Sequence, residues 1–356
     1  MQIKYGEISN QIKQKIKKLE QEVFLHGGYE KWYYELEDFR KQLEPYGKTI
    51  ITPDGRKCVV SRNLRLPNGH YIDHHISGYF APLEFKRIGF EYEKRTPAEQ
   101  LIYLSKYLQQ REIRFIYVPL PCKKAVYPEL VVDNSVIPQD RIVIPQWRKM
   151  IREALEGGVE VLDLYPEFLE NKQNMLYAYE HNISPQGAIL VGKKIAEYLD
   201  STIDFESKER EFISESKRTE IAAFNGWKRD EMFFYPGESI FTWENNRMKP
   251  VTGCDVSSEI LLIGDCNTQG YMQQGASVTA HLSHHLKYPI EYGGRCLAFD
   301  PIDRINTIEK GKLSGKKVLI YVGFVSASYV RSIHPYNLWS GDCFYDSAFS
   351  DRDENM

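Results

Sequence analysis

A cysteine stands where enzymes with a parallel sheet often carry their nucleophile. The segment Glu259–Tyr271 reads EILLIGDCNTQGY, in which the apolar run Ile260–Ile263 leads into Gly264-Asp265-Cys266. The run predicts a buried strand, and the glycine permits a sharp turn that would raise the cysteine over the sheet edge before a helix begins. The same pattern also fits an ordinary strand–turn–helix connection, because free cysteine is among the most buried residue types.

A thiol nucleophile needs a base, since a free cysteine is largely protonated at neutral pH. A position at a helix N-terminus would favour the thiolate of Cys266. His181 is the best candidate base. It lies just before Ser184-Pro185, which reads as a helix N-cap followed by proline at the first helical position, so its loop should be held in place.

A carboxylate that orients the imidazole would complete a triad. Glu180 is adjacent to His181, but neighbouring side chains diverge. Asp163 or Asp265 could therefore be the partner instead, and the sequence leaves the three open.

The remaining predicted site residues would hold the oxyanion or the substrate. Backbone N–H groups of Cys266 and Gly294 are candidates for an oxyanion hole, although Gly293-Gly294 also fits a tight turn before a strand. Lys123 and Tyr127 could contact a polar or anionic substrate group, or simply lie in a solvated loop. The full predicted set for these roles is Gly264, Asp265, Asn267, Gly293, Gly294, Lys123 and Tyr127.

Two groups of histidines carry weaker signals. His281, His284 and His285 form an HxxHH pattern on a predicted helix, but no acidic third ligand follows at helical spacing, so a polar helix face is favoured over a metal site. Asp73-His74-His75 is interpreted as a surface turn. We expect no metal and no bound cofactor.

Composition excludes several classes of protein. The chain of 356 residues has a formal net charge of −3 and no basic run, which argues against nucleic-acid binding. No apolar stretch reaches membrane-spanning or signal-peptide length. Six cysteines lack any framework or CxxC spacing, which indicates free thiols in a reducing compartment. We therefore expect a cytoplasmic protein without membrane contact.

Helices and strands alternate from Thr96 onward, which predicts an α/β domain with a mostly parallel sheet. The preceding residues predict an N-terminal α+β lobe with an amphipathic first helix, Ile8–Phe24, and a Pro-Asp-Gly hairpin near residue 54. The expected domains are 1–95, 96–335 and a tail at 336–356. Within the second, residues 202–255 show no strong strand signal and are interpreted as an insertion or cap.

The ordered blocks resemble the alginate O-acetyltransferase-like branch of the SGNH hydrolases. VPLPCKKAVYPEL is similar to that branch's strand and Pro-Lys-Tyr segment, YEHNISPQGAILVGKKIAEYL to its Asp-x-His-Trp-(Ser/Thr)-Pro-x-Gly-Ala segment, ILLIGDCNTQGY to its Gly-Asp-Ser segment and KKVLIYVGF to its last strand. The histidine block precedes the nucleophile block, as in that branch. The resemblance implies a three-layer SGNH-like fold, acyl transfer and a catalytic triad.

The chain departs from the family pattern at the residues that matter most. Cys266 replaces serine, and Tyr179 stands where aspartate would precede the histidine by two positions. An alignment without a gap places Glu180 and Asn182 on the Asp and His positions, so His181 serves as base only with one inserted residue.

The sequence thus predicts an acyltransferase that works through an acyl-Cys266 intermediate with His181 as base. A thiol suits thioester exchange, which favours acyl-CoA or an acyl carrier protein as donor and a small molecule or carbohydrate as acceptor. Alternatives are an SGNH-like esterase or thioesterase, and a non-catalytic descendant that binds a carbohydrate or a partner protein in the old cleft.

Overall fold

The structure is a computed structural model that describes residues 2–4, 6–15, 48–51, 57–60, 64–65, 71–72, 97–121, 123–127, 145–178, 182–205, 210–225, 228–295 and 313–324. The Asp73-His74-His75 turn and the tail at 336–356 lie outside these residues. Within them, no helix is long and apolar enough to cross a bilayer.

Five parallel strands form the central sheet. They are β6 (Arg114–Leu120), β7 (Glu160–Val161), β12 (Ile260–Gly264), β13 (Glu291–Arg295) and β14 (Val318–Phe324), in the spatial order β13-β12-β14-β6-β7. Every neighbouring pair in this sheet is parallel. The predicted α/β class with a mostly parallel sheet is confirmed.

Burial explains why these segments are strands. All seven residues of β6 and all five of β12 are buried. Because successive side chains of a strand point to opposite faces, a strand buried throughout must be covered on both faces. Continuous apolar runs such as ILLIG are the sequence form of such strands.

Helices cover the sheet as two packed pairs. The helices are α1 (6–15), α2 (Pro97–Gln109), α3 (Lys123–Val126), α4 (Pro145–Glu156), α5 (Tyr165–Glu170), α6 (Pro185–Thr202), α7 (Cys266–Gln269) and α8 (Val278–Leu286). Helix α2 packs on α4, and α6 packs on α8. The predicted cap of α6 is confirmed, because the Ser184 hydroxyl accepts the Gly187 N–H at 3.2 Å and Pro185 follows it.

The region interpreted as an insertion without strands contains long strands. Strands β9 (Ile213–Asn225), β10 (Lys228–Glu244) and β11 (Arg247–Pro250) form a separate antiparallel sheet in the order β11-β10-β9. These strands were not predicted, because much of β9 faces solvent and β10 carries Pro236-Gly237 in its middle. Neither strand therefore shows the regular apolar alternation on which a strand prediction depends.

The N-terminal segment is tied to the α/β domain. Strand β1 (Gln2–Ile3) pairs with β8 (Ile203–Asp204), and α1 turns Ile8 and Ile12 toward the core, as its periodicity predicted. Lys15, near the end of α1, is partly buried, and its ammonium donates to the Val161 carbonyl. Burial lowers the pKa of this lysine. Strands β2 (Lys48–Ile51) and β3 (Lys57–Val60) form the predicted hairpin, and β4 (Leu64–Arg65) pairs with β5 (Tyr71–Ile72).

A buried ion pair closes the N-terminal end of the central sheet. Arg114, the first residue of β6, donates from Nε to Glu160 of β7 at 2.8 Å and from Nη2 to the Thr202 hydroxyl at 2.8 Å. The two charged side chains are 2% and 6% exposed. A charge buried this deeply depends on its partner, because water cannot replace it.

Replacing Glu160 by alanine is expected to lower the free energy of unfolding by about 3–5 kcal/mol, since Arg114 would be left buried and unpaired. Urea titration measures the loss. The matched control is Glu156→Ala, which removes an exposed ion pair with Arg152 on α4 and should cost less than about 1 kcal/mol. Equal losses in the two variants would contradict a structural role for the buried pair.

Candidate functional site

The carboxyl ends of the parallel strands carry the predicted nucleophile. Strand β12 ends at Gly264, and Cys266 is the first residue of α7. Glycine is required at position 264, because a Cβ there would lie 2.4 Å from both the Thr268 side chain and the Val322 carbonyl oxygen. The predicted strand–turn–helix connection around Cys266 is therefore present in the backbone.

The helix that begins at Cys266 has only four residues. The prediction that a helix N-terminus favours the thiolate loses much of its basis, since a helix dipole needs several aligned turns.

Asp265 organises the turn around the cysteine. It is 3% exposed, and its Oδ1 accepts the backbone N–H of Asn267 at 2.8 Å and the side-chain N–H of the same residue at 2.9 Å. Its own N–H donates to the Val322 carbonyl of β14. These bonds fix the residues on either side of Cys266 relative to the sheet.

Asn267 joins this turn to the loop that carries the predicted base. Its side-chain Oδ1 accepts the backbone N–H of Ile183 at 2.8 Å, and both residues are 1% exposed. The Tyr271 hydroxyl donates to the carbonyl of the same Ile183 at 3.1 Å. Both peptide groups of Ile183 are thus bonded to the segment that follows Cys266.

This arrangement places the histidine loop beside the cysteine turn. His181 and Glu180 lie outside the described residues, so their roles stay predictions. Asn182 is half-buried, and its carbonyl accepts the Ala178 N–H.

The predicted glycine pair lies inside a strand. Gly294 of β13 pairs with Ile263 of β12, and the register shifts by one residue at Gly293. The alternative of a turn before a strand is therefore wrong, and a bulge takes its place. A Cβ at Gly293 would approach the side chains of Ile263 and Leu261 to 2.9 Å. The oxyanion role of both glycines stays a prediction.

Lys123 and Tyr127 brace a loop. The Lys123 ammonium donates to the Ala178 carbonyl at 2.7 Å. The Tyr127 hydroxyl donates to the Lys172 carbonyl at 2.5 Å and accepts the Leu176 N–H at 3.0 Å. These hydrogen bonds hold the backbone of residues 172–178 against α3 and Tyr127. Contact of Lys123 and Tyr127 with substrate stays a prediction.

Asp163, one of the three carboxylates considered for His181, has other partners. One oxygen pairs with the Arg148 guanidinium, and the other accepts the Tyr165 N–H at 3.1 Å. We therefore drop Asp163 as the orienting group. Glu180 and Asp265 remain.

The HxxHH pattern lies on α8, as predicted, but the interpretation as a polar face is wrong for His281. That residue is 1% exposed, and neither of its ring nitrogens has a hydrogen-bond partner in the described part of the chain. Burial, followed by the charges of His285 and His284, lowers its pKa to about 3. Among the described residues no group of His, Cys, Asp or Glu side chains could hold a metal ion.

Sequence reasoning missed how the two halves of the site are joined. Asn267 was predicted to contact oxyanion or substrate, whereas the structure bonds its carbonyl oxygen to Ile183; Tyr271 was not singled out at all. The available signal was the run of polar side chains directly after the nucleophile turn, NTQGY, of which Asn267 and Thr268 are buried.

Residues 91–226 match the protein-family model described as ALGX, SGNH hydrolase-like domain, acetyltransferase AlgX. This part of the chain is similar to that domain and contains Lys123, Tyr127, Glu180 and His181. It ends before Cys266, so the match bears on the histidine block and leaves the nucleophile untested. No curated protein sequence matches the chain.

Several solved structures are similar at low identity. The O-acetyltransferase domain of Pseudomonas putida AlgJ is 13% identical, with a TM-score of 0.48 over 75% of this chain and 94% of that one. Pseudomonas aeruginosa AlgX is 16% identical, with a TM-score of 0.47 over 85% and 68%. Bacillus cereus PatB1 is 12% identical, with a TM-score of 0.42 over 71% and 93%. At these values we draw no functional conclusion from the likenesses.

Proposed function

We propose that this protein is an acyltransferase, of the O-acetyltransferase kind, that uses Cys266 as nucleophile and His181 as base. The observation that carries the proposal is the hydrogen bond from the Ile183 N–H to Asn267 Oδ1, because it ties the loop of the predicted base to the residue next to the predicted nucleophile. The similarity of residues 91–226 to an SGNH hydrolase-like acetyltransferase domain supports acetyl transfer as the type of reaction.

The first half-reaction forms a thioester on the enzyme. His181 takes the proton of the Cys266 thiol, and the sulfur attacks the carbonyl carbon of the acyl donor. Backbone N–H groups of Cys266 and Gly294 would hold the resulting oxyanion, each for about 3 kcal/mol of transition-state stabilisation. The carbon–sulfur bond to the donor then breaks, and the departing thiolate takes the proton from His181.

The second half-reaction moves the acyl group to an acceptor. His181 removes the proton of an acceptor hydroxyl, the oxygen attacks the acyl-cysteine carbonyl, and the Cys266 thiolate departs and regains a proton from His181. Glu180 or Asp265 would orient the imidazole in both steps.

The thiol points to the class of donor. Exchange between two thioesters is close to balanced in free energy, so a cysteine transfers acyl groups readily from acyl-CoA or from an acyl carrier protein. We propose such a thioester as donor and a carbohydrate or small hydroxyl compound as acceptor. A reducing cytoplasm, where thiols persist, suits both the donor and the nucleophile.

A second candidate rests on Asn182. In the alignment without a gap this residue takes the family's histidine position. If His181 does not act as base, the fold would serve as a binding protein for a carbohydrate or a partner. If water replaces the acceptor, the same residues would instead make an esterase or thioesterase.

Intact-protein mass spectrometry tests the proposal. After brief incubation with acetyl-CoA, and in parallel with an activated acetyl ester, the wild type is expected to carry one acetyl adduct that peptide mapping places on Cys266. Cys266→Ala should carry none. A wild type that stays unmodified by both donors, with a Cys266 that iodoacetamide alkylates no faster than an ordinary exposed thiol, would favour the binding protein.

A further inference from the structure

Strand β10 touches both halves of the proposed site. It lies in the middle of the antiparallel sheet, with β9 on one side and β11 on the other. From Gly237 to Ile240 the strand pairs residue by residue with β9, and this continuous pairing stiffens the stretch, so its contacts can fix the distance between the elements on which it rests.

One contact is with the start of α6, directly after the histidine loop. Gly237 lies so close to Pro185 that a Cβ at position 237 would come within 2.7 Å of the proline Cβ. The Gln186 side chain donates to the Pro236 carbonyl at 3.3 Å. Pro185 is four residues from His181, and Ser184 and Pro185 are both buried.

The other contact is with the segment that follows Cys266. The Ile240 N–H donates to the Gly275 carbonyl at 2.8 Å. Gly275 has a φ of +69°, and a Cβ there would lie 2.4 Å from the Ile240 carbonyl oxygen, so only glycine fits. The Thr219 hydroxyl of β9 adds a long bond of 3.5 Å to the Gln274 side chain.

The two contacts are three residues apart on one strand. Residues 237 and 240 span about 10 Å along β10, which sets the separation between the start of α6 and the turn at Gly275. Those two elements are also held together by Asn267 and Tyr271 through Ile183. The antiparallel sheet therefore completes a closed set of contacts that joins Ile183, the start of α6 and the segment after Cys266.

We infer that the β9–β11 sheet is a positioning element for the proposed acyl transfer, and that Gly237 is a positioning residue that sets the distance between the base loop and the nucleophile turn. The inference rests on the proposed function, since it assigns the sheet a role in that same site. A displacement of about 1 Å between reacting groups can cost on the order of 100-fold in rate.

Gly237→Ala tests the inference. The added methyl group must push β10 away from the rigid Pro185 ring. With acetyl-CoA and a hydroxyl acceptor, kcat is expected to fall about tenfold while KM changes less than about twofold. The pH profile of Cys266 alkylation by iodoacetamide should move up in pH, because a displaced imidazole stabilises the thiolate less.

The matched control is Gly6→Ala, where an added Cβ meets nothing within 4 Å. It should leave kcat, KM and the alkylation profile at wild-type values. If Gly237→Ala does not fold, Gln186→Met removes the neighbouring bond to Pro236 without adding a clash, and should shift kcat and the profile in the same direction.

A folded Gly237→Ala with wild-type kcat and a wild-type alkylation profile would overturn the inference and leave the proposed function standing. A wild type that forms no acetyl adduct would overturn the proposed function instead. The alkylation profiles report on the contact between Gly237 and Pro185 whether or not the protein transfers an acyl group. The failure of the inference and the failure of the proposed function are therefore distinguishable.

Discussion

Alanine at Cys266 is expected to abolish measurable acyl transfer, with a fall in kcat on the order of 10⁴-fold or more, because the acyl group then has no atom to which it can be bonded. His181→Gln is expected to lower kcat by about 10²–10⁴-fold, the usual contribution of a general base. Steady-state kinetics with acetyl-CoA measures both. The alanine variant should show no burst of released CoA.

The control for the first substitution is Cys254→Ala. Cys254 is exposed, and its sulfur lies 3.1 Å from the Thr252 hydroxyl, away from the proposed chemistry. Its removal should change kcat less than about twofold. If Cys266→Ala kept more than a tenth of wild-type activity, acyl transfer would proceed by direct attack of the acceptor and the covalent mechanism would be wrong.

Acidification is expected to destabilise the protein through His281. His281 is buried where α8 packs on α6, Gly192 leaves room for its Cβ, and burial lowers the pKa of its imidazole from 6.5 to about 3. The other titratable groups nearby surround His285: they are His284 on the same helix, Lys193 and Glu197 of α6 and Glu238 of β10. The two glutamates, Glu197 and Glu238, act on His285, and the charges that act on His281 are those of His285 and His284, which disfavour its protonation.

The sign of this pH dependence follows from the different proton affinities of His281 in the folded and unfolded states. The unfolded chain binds a proton at about pH 6.5 and the folded protein only near pH 3, so stability is complete above pH 6.5 and falls as the pH decreases through that window. The loss is about 1.4 kcal/mol for each pH unit, hence about 2 kcal/mol at pH 5 and on the order of 5 kcal/mol at pH 3.

Urea titrations at about pH 7.5 and pH 5 measure this contribution when the wild type is compared with His281→Leu. The leucine variant should lose about 2 kcal/mol less on acidification, and it should be no less stable than the wild type at the higher pH, because two unpaired polar atoms are removed. The same loss in both proteins would show that His281 does not control the acid response.

The local sequence predicted the parts of the fold that bury continuous apolar runs. The segment ILLIG and the part of β6 after Arg114, FIYVPL, are rich in apolar residues because both of their faces are covered, and the alternation of such segments with helices predicted the parallel sheet. The Ser184-Pro185 signal gave the start of α6 within one residue. Each of these features is encoded in a window of a few residues.

The joints between distant segments could not be predicted in this way. Nothing around Asn267 indicates that its side chain bonds to Ile183, and nothing in β10 indicates that Gly237 rests on Pro185, because each partner lies far along the chain. The short α7 shows the same limit. Polar residues after Cys266 suit a helix of any length, and the helix ends before Tyr271, which has a left-handed backbone conformation and donates its hydroxyl to the distant Ile183 carbonyl.

The pairing of β1 with β8 has a consequence for how the chain acquires its structure. Ile3 is bonded to the strand that contains Ile203, two hundred positions later. During synthesis the β1 segment stays unpaired until α6 and β8 have left the ribosome. Contacts between positions so far apart in the chain also slow folding. Proteolysis of nascent or refolding chains should therefore cut the first residues until α6 has formed, and protection there should appear among the last events.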